Sequence, residues 1–306
     1  MKLAQSAIGA YSNAAKKWSF TKLAPYIFVF PAILVIIVFR ILPMFYSAQL
    51  SLMRFDVINP ANSTFIGLAN FQRLIRDEHV IRGLRNTAYF AFGTLIPGLI
   101  LSLILSIIIC EKWFKLGSSV RSMLFVPFVL SVTITGLIWQ FLYSPTFGLF
   151  NSILEFFGLP PQLWLAHTRT AMPSVILMVV WRDLGFRVTI WCAGLLSISP
   201  EYTESARIDG ANWLQELFYV RLPLLKPVIM FLTVLGMIGA FQAFESIWVM
   251  TGGGPARSTE VLVTIIWRTA FRDLNMGYAS AIAWLLFVII MILTLIQMKV
   301  QDKEVQ

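Results

Sequence analysis

Long apolar runs separated by short polar stretches set the pattern of this chain. Six runs approach or exceed the roughly 20 residues that a helix needs to cross a bilayer. They are Pro25 to Leu50, Thr87 to Cys110, Met123 to Tyr143, Met172 to Leu196, Leu225 to Met250 and Ala279 to Met298. The pattern predicts an all-α fold, a polytopic bundle of six membrane-spanning helices. Pro31, Pro43, Pro97 and Pro127 fall inside or near the ends of these runs. Prolines are tolerated in such helices because neighbours re-satisfy the freed backbone groups, and they predict local kinks.

Three of the polar intervals have a pattern of their own. Phe71 to Leu84 places Phe71, Leu74, Ile75, Val80, Ile81 and Leu84 among charges, which predicts an amphipathic helix on the outer face. Ser144 to Thr170 holds Pro145, Gly148, Gly158, Pro160 and Pro161 and predicts a turn-rich cap. The third interval, Glu204 to Pro227, reads E-S-A-R-I-D-G-A-N-W-L-Q-E-L-F-Y-V-R-L-P-L-L-K-P. Just before it, Ser199-Pro200-Glu201 is a helix start, with Ser able to cap and Pro at the first helical position. Gly210 supplies a stop or sharp bend. Asn212 can cap a second short helix whose apolar face is Trp213, Leu214, Leu217 and Phe218, and Pro223 and Pro227 close it. Joining two spans requires no more than a short turn. A helix, a Gly turn and a second helix therefore read as a docking element, or else as an interfacial amphipathic connector.

Composition agrees with a membrane chain: 58% of residues are hydrophobic and 13% charged, against about 25% charged in soluble domains. That leaves one integral membrane domain and little for a soluble one. The net charge of +9 is explained by basic residues flanking spans, which set orientation and meet anionic lipid, so no nucleic-acid partner is implied. With the N-terminus inside, the inner segments carry twelve Lys and Arg and the outer ones nine, five of them in the first outer loop. This bias predicts that both termini and the Glu204 segment are cytoplasmic. Residues 1–24 would be a cytoplasmic segment with Lys2, Lys16, Lys17 and Lys22, residues 25–298 the membrane domain with loop 199–223, and residues 299–306 a cytoplasmic tail. The first apolar run is too long for a signal peptide and no cleavage site follows it, so it is expected to remain as a span. Cys110 and Cys192 support neither a disulfide nor a metal site, and His79 and His167 lie apart in predicted loops. No nucleophile–base set appears at useful spacing, so catalytic and metal-binding residues are expected to be absent.

Two motifs give the chain a resemblance. The segment from Glu204 resembles the E-A-A-x(3)-G loop of membrane permeases in ATP-binding-cassette importers. Glu204, Ala206, Asp209, Gly210, Ala211, Leu222 and Pro223 stand in its register, with Ser205 and Val220 as conservative departures. The resemblance implies a coupling helix seated in a cleft of a separate ATPase subunit. Ser205 and Ala206 would permit close approach, Gly210 would fix the angle between helices, and Glu204 would either pair with a basic or hydrogen-bonding group of the partner or hold the loop's own shape. Such an element would carry ATPase closure to the fourth and fifth spans. Thr251-Gly252-Gly253-Gly254-Pro255, followed by Ser258-Thr259-Glu260, resembles a segment of the maltose-type sugar importers. So do Phe65 to Phe71 (F-I-G-L-A-N-F) and Asn86-Thr87. The resemblance covers roughly Phe28 to Lys299 and points to the first permease subunit of that type. The Gly run is no phosphate loop, because Pro255 follows it and no G-K-[ST] exists in the chain. Gly252 to Gly254 are expected to form a tight outer turn against a binding protein or substrate.

Charged residues inside spans cost about 2.5–3.5 kcal/mol each on insertion scales. Arg40 lies deep in the first run. Arg182, Asp183 and Arg187 lie in the fourth, with Asp183 and Arg187 at i,i+4, and Gln242 and Glu245 stand at i,i+3 in the fifth. They read equally as internal salt bridges or as the lining of a sugar path, with Trp181, Phe241, Phe244 and Trp248 able to stack on sugar rings. The excess of Arg also permits an anionic substrate. Taken together, the resemblance implies a carbohydrate permease of a bacterial or archaeal cytoplasmic membrane. Its implied partners are a second and different permease chain, two ATPase subunits holding ATP and Mg, and an extracytoplasmic solute-binding protein. This chain would bind no cofactor. The alternative is a secondary carrier or channel that needs no ATPase.

Overall fold

The computed structural model describes residues 25–111 and 114–302. Lys2, Lys16, Lys17, Lys22, Lys112 and Lys303 therefore lie outside the described residues, as do the segment 1–24 and most of the tail.

Among the described residues, three helices are long and apolar enough to cross a membrane unbroken: α1 (Pro25–Ser51), α3 (Glu78–Cys110) and α13, whose spanning part is Met276–Val300. A short helix, α2 (Ala69–Arg76), precedes α3. The third predicted span is two helices, α4 (Gly117–Val129) and α5 (Val132–Leu142), bent by 98° at an extended Leu130. Gln140 explains where the second half goes. Its Nε2 donates to the carbonyls of Val249 and Met250 at 2.8 and 3.1 Å, which fastens α5 across the chain. The predicted turn-rich cap contains a helix, α6 (Leu149–Phe156). Its buried Asn151 accepts from the Trp164 indole at 2.8 Å and donates to the Gln162 carbonyl at 3.1 Å.

The fourth predicted span is one helix of 27 residues, α7 (Ala171–Ser197), which carries Arg182, Asp183 and Arg187. At 1.5 Å per residue it is about 40 Å long, enough for a bilayer core of about 30 Å. The polar loop supplies α8 (Pro200–Ile208) and α9 (Trp213–Leu224). Then α9 bends by 67° into α10 (Lys226–Phe241). The predicted fifth span breaks at Gln242 to Phe244 and resumes as α11 (Glu245–Thr251). Gln242 and Glu245 are thus not on one helix, as their i,i+3 spacing suggested. Last come α12 (Leu262–Trp267), a π-helical extension Arg268–Arg272, and α13.

The predicted outer amphipathic helix is also divided. Asp77 ends α2 and caps α3, accepting from the His79 N–H at 2.9 Å. A two-stranded antiparallel pairing, Met53↔Phe65 and Arg54↔Thr64, closes the loop before α2.

Two prolines act without breaking their helices. The π-helical stretches Ile37–Ile41 and Glu216–Arg221 each end two residues before a proline, Pro43 and Pro223. A proline ring displaces the carbonyl four residues back, here Phe39 and Tyr219. Both carbonyls lie in the widened turn, which absorbs the clash.

The core sits where α3 and α7 pack, with Phe90, Met178, Val175 and Val188 fully enclosed. Gly98 permits the approach of α3 to α7, and Gly185 that of α4 to α7. A Cβ on Gly98 would lie 1.3 Å from Nη1 of Arg187, and one on Gly185 would lie 2.0 Å from the Leu124 carbonyl oxygen of α4. By contrast, none of the most apolar stretch of α1 is buried. Gly185→Ala pushes α4 away from α7 and is expected to destabilise the chain by about 1–3 kcal/mol, the usual cost of overpacking. Thermal unfolding of the purified protein in detergent checks this, and an unchanged midpoint would contradict the packing described.

Candidate functional site

The helix–Gly–helix element is built largely from local backbone rules. Pro200 begins α8 and Ser199 occupies the N-cap position, but its side chain makes no capping bond, contrary to the sequence expectation. Its carbonyl accepts from Tyr202 N–H at 3.2 Å instead. The end of α8 is a Schellman turn. Ala211 N–H donates to the Ala206 carbonyl at 2.9 Å and Gly210 N–H to the Arg207 carbonyl at 3.1 Å. Gly210 has φ +84°, and nothing lies within 4 Å of where its Cβ would be. Glycine is needed there for backbone freedom, not for space. Asn212 and Gln215 then form a reciprocal capping box at 2.8 and 2.9 Å. Pro223 does not close α9, which ends at the 67° bend by Leu225. Glu204, Ser205, Asp209, Gly210 and Pro223 are exposed, while Ala206, Ala211 and Leu222 are half-buried.

A clamp that the sequence reading missed holds α8 against α9. Glu216 is 1% exposed. Its Oε2 accepts from Nε of Arg207 at 2.8 Å and its Oε1 from Nε of Arg221 at 2.7 Å. Arg221 also reaches Oε1 of Glu111, the residue after α3, at 3.1 Å. Burial works to raise the Glu216 pKa, but the hydrogen bonds and charges of Arg207 and Arg221 outweigh it and hold the carboxyl below its usual value. Arg207 and Arg221 enter the sequence reading only as counted charges, yet their spacing from Glu216 across the turn is the signal that was available. Between α8 and the adjoining ends of α3 and α7 lies a cavity of about 410 Å³, lined by Glu111, Thr203, Glu204, Arg207 and Arg221 among others.

A second cavity, of about 280 Å³, opens in the middle of the bundle. It gathers Arg182, Asp183, Arg187 and Glu245 with Phe128, Phe186 and Phe244. Arg182 donates from Nε to Asp183 Oδ1 at 2.9 Å, whereas the expected i,i+4 partner Arg187 stands 4.0 Å from Asp183. Arg187 instead donates from Nη1 to the Thr94 carbonyl of α3 at 2.9 Å. Thr133 Oγ1 donates to Glu245 Oε1 at 2.5 Å. The other expected path residues are elsewhere. Phe241 is buried in the apolar core, and Gln242 lines a separate groove with α13. Trp181 packs on Trp139 at 5.3 Å. Trp248 stacks on Phe244 at 5.5 Å and meets Trp267 at 4.4 Å.

At the far end of α3 the Gly-rich motif forms the tight turn expected. Gly252 and Gly253 have φ +58° and +90°, and Gly254-Pro255 is cis. Thr259 locks it, its hydroxyl donating to the Gly254 carbonyl at 2.8 Å and lying 2.7 Å from the Thr251 hydroxyl. Buried Glu260 is paired with Arg268 and lies 3.8 Å from Arg257. The Asn86-Thr87 motif meets the Gly-rich segment here. Asn86 donates to the Glu260 carbonyl at 2.9 Å and Thr87 accepts from Leu262 N–H at 2.9 Å. Asn70 donates to the carbonyls of Ser51 and Met53 at 2.8 and 3.1 Å, tying α2 to the end of α1.

The chain is a helical bundle with a polar cavity at its centre and an exposed helix pair at one end, and its family identifies it as a membrane permease component. Residues 87–306 match the family of binding-protein-dependent transport system inner membrane components, and the chain belongs to that family. It is 36% identical over 284 residues to a probable ABC transporter permease protein, YurN, of Bacillus subtilis, covering 91% of this chain and 96% of that one. It is 32% identical over 280 residues to the arabinooligosaccharides transport system permease protein AraP of the same organism, covering 91% and 88%. In fold it is similar to a chain of a crystallised bacterial ABC transporter that imports the acidic polysaccharide alginate. There the TM-score is 0.82 at 23% identity, over 96% of this chain and 98% of that one.

The clamp has a defined pH dependence. A carboxyl whose folded pKa is depressed stabilises above its unfolded value, about 4.3, and loses that contribution as pH falls through the folded value. Hydrogen-exchange protection of residues 200–224 is therefore expected to hold from neutral pH down to about 5 and to collapse below about 4. Glu216→Gln should lower that protection at neutral pH roughly tenfold, the effect of losing one charged hydrogen bond of about 1.5 kcal/mol.

Proposed function

We propose that this permease subunit passes a sugar or oligosaccharide through its central cavity and takes its drive from a separate ATPase seated on α8. The observation that carries this reading is the exposed Glu204-Ser205-Asp209-Gly210 surface. It is held rigid by the Schellman turn, the capping box and the Glu216 clamp, yet it stands off from the bundle across a cavity. Rigidity without burial is what a docking element requires. In this reading ATP and Mg belong to the ATPase, and this chain is expected to bind no cofactor and to supply no catalytic residue. A second permease, of different sequence, completes the pathway, and a solute-binding protein delivers substrate to the Gly252–Gly254 turn. In this reading α8, α9 and both termini face the cytoplasm, the Gly turn faces outward, and α7, the bent α4–α5 pair and α10 with α11 complete six spans.

The cavity favours a neutral, hydroxyl-rich solute. Arg182 and Arg187 are matched there by Asp183 and Glu245, so the wall is polar without a net charge. Phe128 stacks on Phe186 at 4.8 Å and Phe244 stands opposite, which supplies apolar faces for sugar rings. The arabinooligosaccharide relative AraP fits such a substrate. This moves the reading away from the anionic solute that the overall excess of Arg permits.

Reconstitution tests the proposal. Sugar uptake is expected from the chain with its second permease, ATPase pair and binding protein, and none from this chain alone. Uptake by the single chain, driven by an ion gradient, would overturn it. Gly210→Val forces a β-branched residue to φ +84°, at a strain of about 1–2 kcal/mol. This variant is expected to insert normally but to lose at least about tenfold in uptake, a factor that 1.4 kcal/mol accounts for.

A further inference from the structure

The loop that carries α8 and α9 meets the rest of the bundle in an unusual way. Its covalent ends are the turn at Ser199 and the bend at Leu225. Between these ends the loop is separated from the tips of α3 and α7 by the cavity of about 410 Å³. Arg221 spans that gap. One face of its guanidinium is committed to Glu216 within the loop, at 2.5 Å from Nη2, and Nη1 bonds Glu111 at 3.1 Å. Glu111 follows directly on α3, so the loop is fastened by charge to the end of a 33-residue helix. Near its other end the same helix holds the Gly turn through Asn86 and Thr87.

We propose that Glu111 and Arg221 form a positioning joint that makes α3 a strut between the ATPase-docking loop and the Gly turn. The pair suits that role. Both side chains are mostly enclosed, at 24% and 16% exposure, so solvent screens them less than a surface pair. Arg221 cannot swing freely, because Glu216 already holds it from the loop side. A displacement of α8 therefore pulls on Glu111 through a chain of charged hydrogen bonds, Arg207 to Glu216 to Arg221 to Glu111. Without Glu111 the clamp inside the loop stays whole, and α8 keeps its shape and docking surface. What is lost is the transmission of its motion to α3.

This inference rests on the reading that α8 seats the ATPase, and the test separates the two. The complete transporter is purified and reconstituted with wild-type, Glu111→Gln or Glu111→Asp chains. Uptake per ATP hydrolysed is measured, along with the amount of ATPase that co-purifies. For Glu111→Gln the ATPase is expected to remain bound and ATP hydrolysis to continue. Uptake per ATP should fall about fivefold or more, the range of ordinary inter-site coupling. Glu111→Asp, which keeps the charge, should restore part of the ratio. A wild-type ratio in Glu111→Gln overturns the joint, and so does an equal loss in the Asp variant, which would mark packing rather than charge. Loss of the bound ATPase in Glu111→Gln also overturns it, since that would be damage to docking. If the wild-type chain binds no ATPase, the docking reading fails and this inference falls with it.

Discussion

A guanidinium enclosed in a helix bundle has to be met by oxygen atoms, since leaving it unpaired costs several kcal/mol. Arg187 is met by the Thr94 carbonyl, one turn before Pro97, and stands within 4.0 Å of Asp183. Reaching Thr94 requires passing over Gly98, where even a methyl group would collide with the guanidinium. This contact sets the distance between α3 and α7, and much else follows from that distance. The central cavity is lined by this pair together with residues of α10 and α11, and α3 contacts both ends of the molecule, through Glu111 at one and Asn86 at the other.

Those two ends solve one electrostatic problem in the same way. Glu216 at one end and Glu260 at the other are nearly inaccessible, and each is gripped by two arginines. A carboxylate so enclosed is stable only while both partners are in place. Each is therefore a restraint on the shape of its own loop. At one end it fixes the angle between α8 and α9. At the other it holds the tight Gly turn against Asn86. Loops without such restraints would be free to wander, and neither could offer a fixed surface to another protein.

Much of the local structure was legible in the residues. Pro200 as a helix start, Gly210 as a left-handed stop and Asn212 as a cap depend on neighbours within a few positions, which a sequence displays directly. The motif at Thr251 to Pro255 likewise announced its turn. The breaks at Leu130 and at Gln242 to Phe244 were not legible, because both lie inside runs apolar enough to read as continuous spans. Their causes are distant: Gln140 is fixed by carbonyls more than a hundred residues away. The Glu216 clamp was hidden for another reason. In the sequence Arg207 and Arg221 count only as inner charges, and the fold of the turn between them decides that they meet Glu216. Asp77 divided the outer helix because its side chain caps α3 and accepts from Tyr278 at 2.7 Å, a partner 201 positions on.

The matched charges of the central cavity bear on energetics across the membrane. Moving one elementary charge through 100 mV costs or releases about 2.3 kcal/mol. Arg182, Arg187, Asp183 and Glu245 together sum to no net charge, and their bundle carries them as a group. If the proposed transport turns the cavity from one side to the other, these four groups do electrical work of opposite sign and largely cancel. A neutral solute inside adds nothing to that sum. These four groups then give the resting voltage no hold on the proposed pathway.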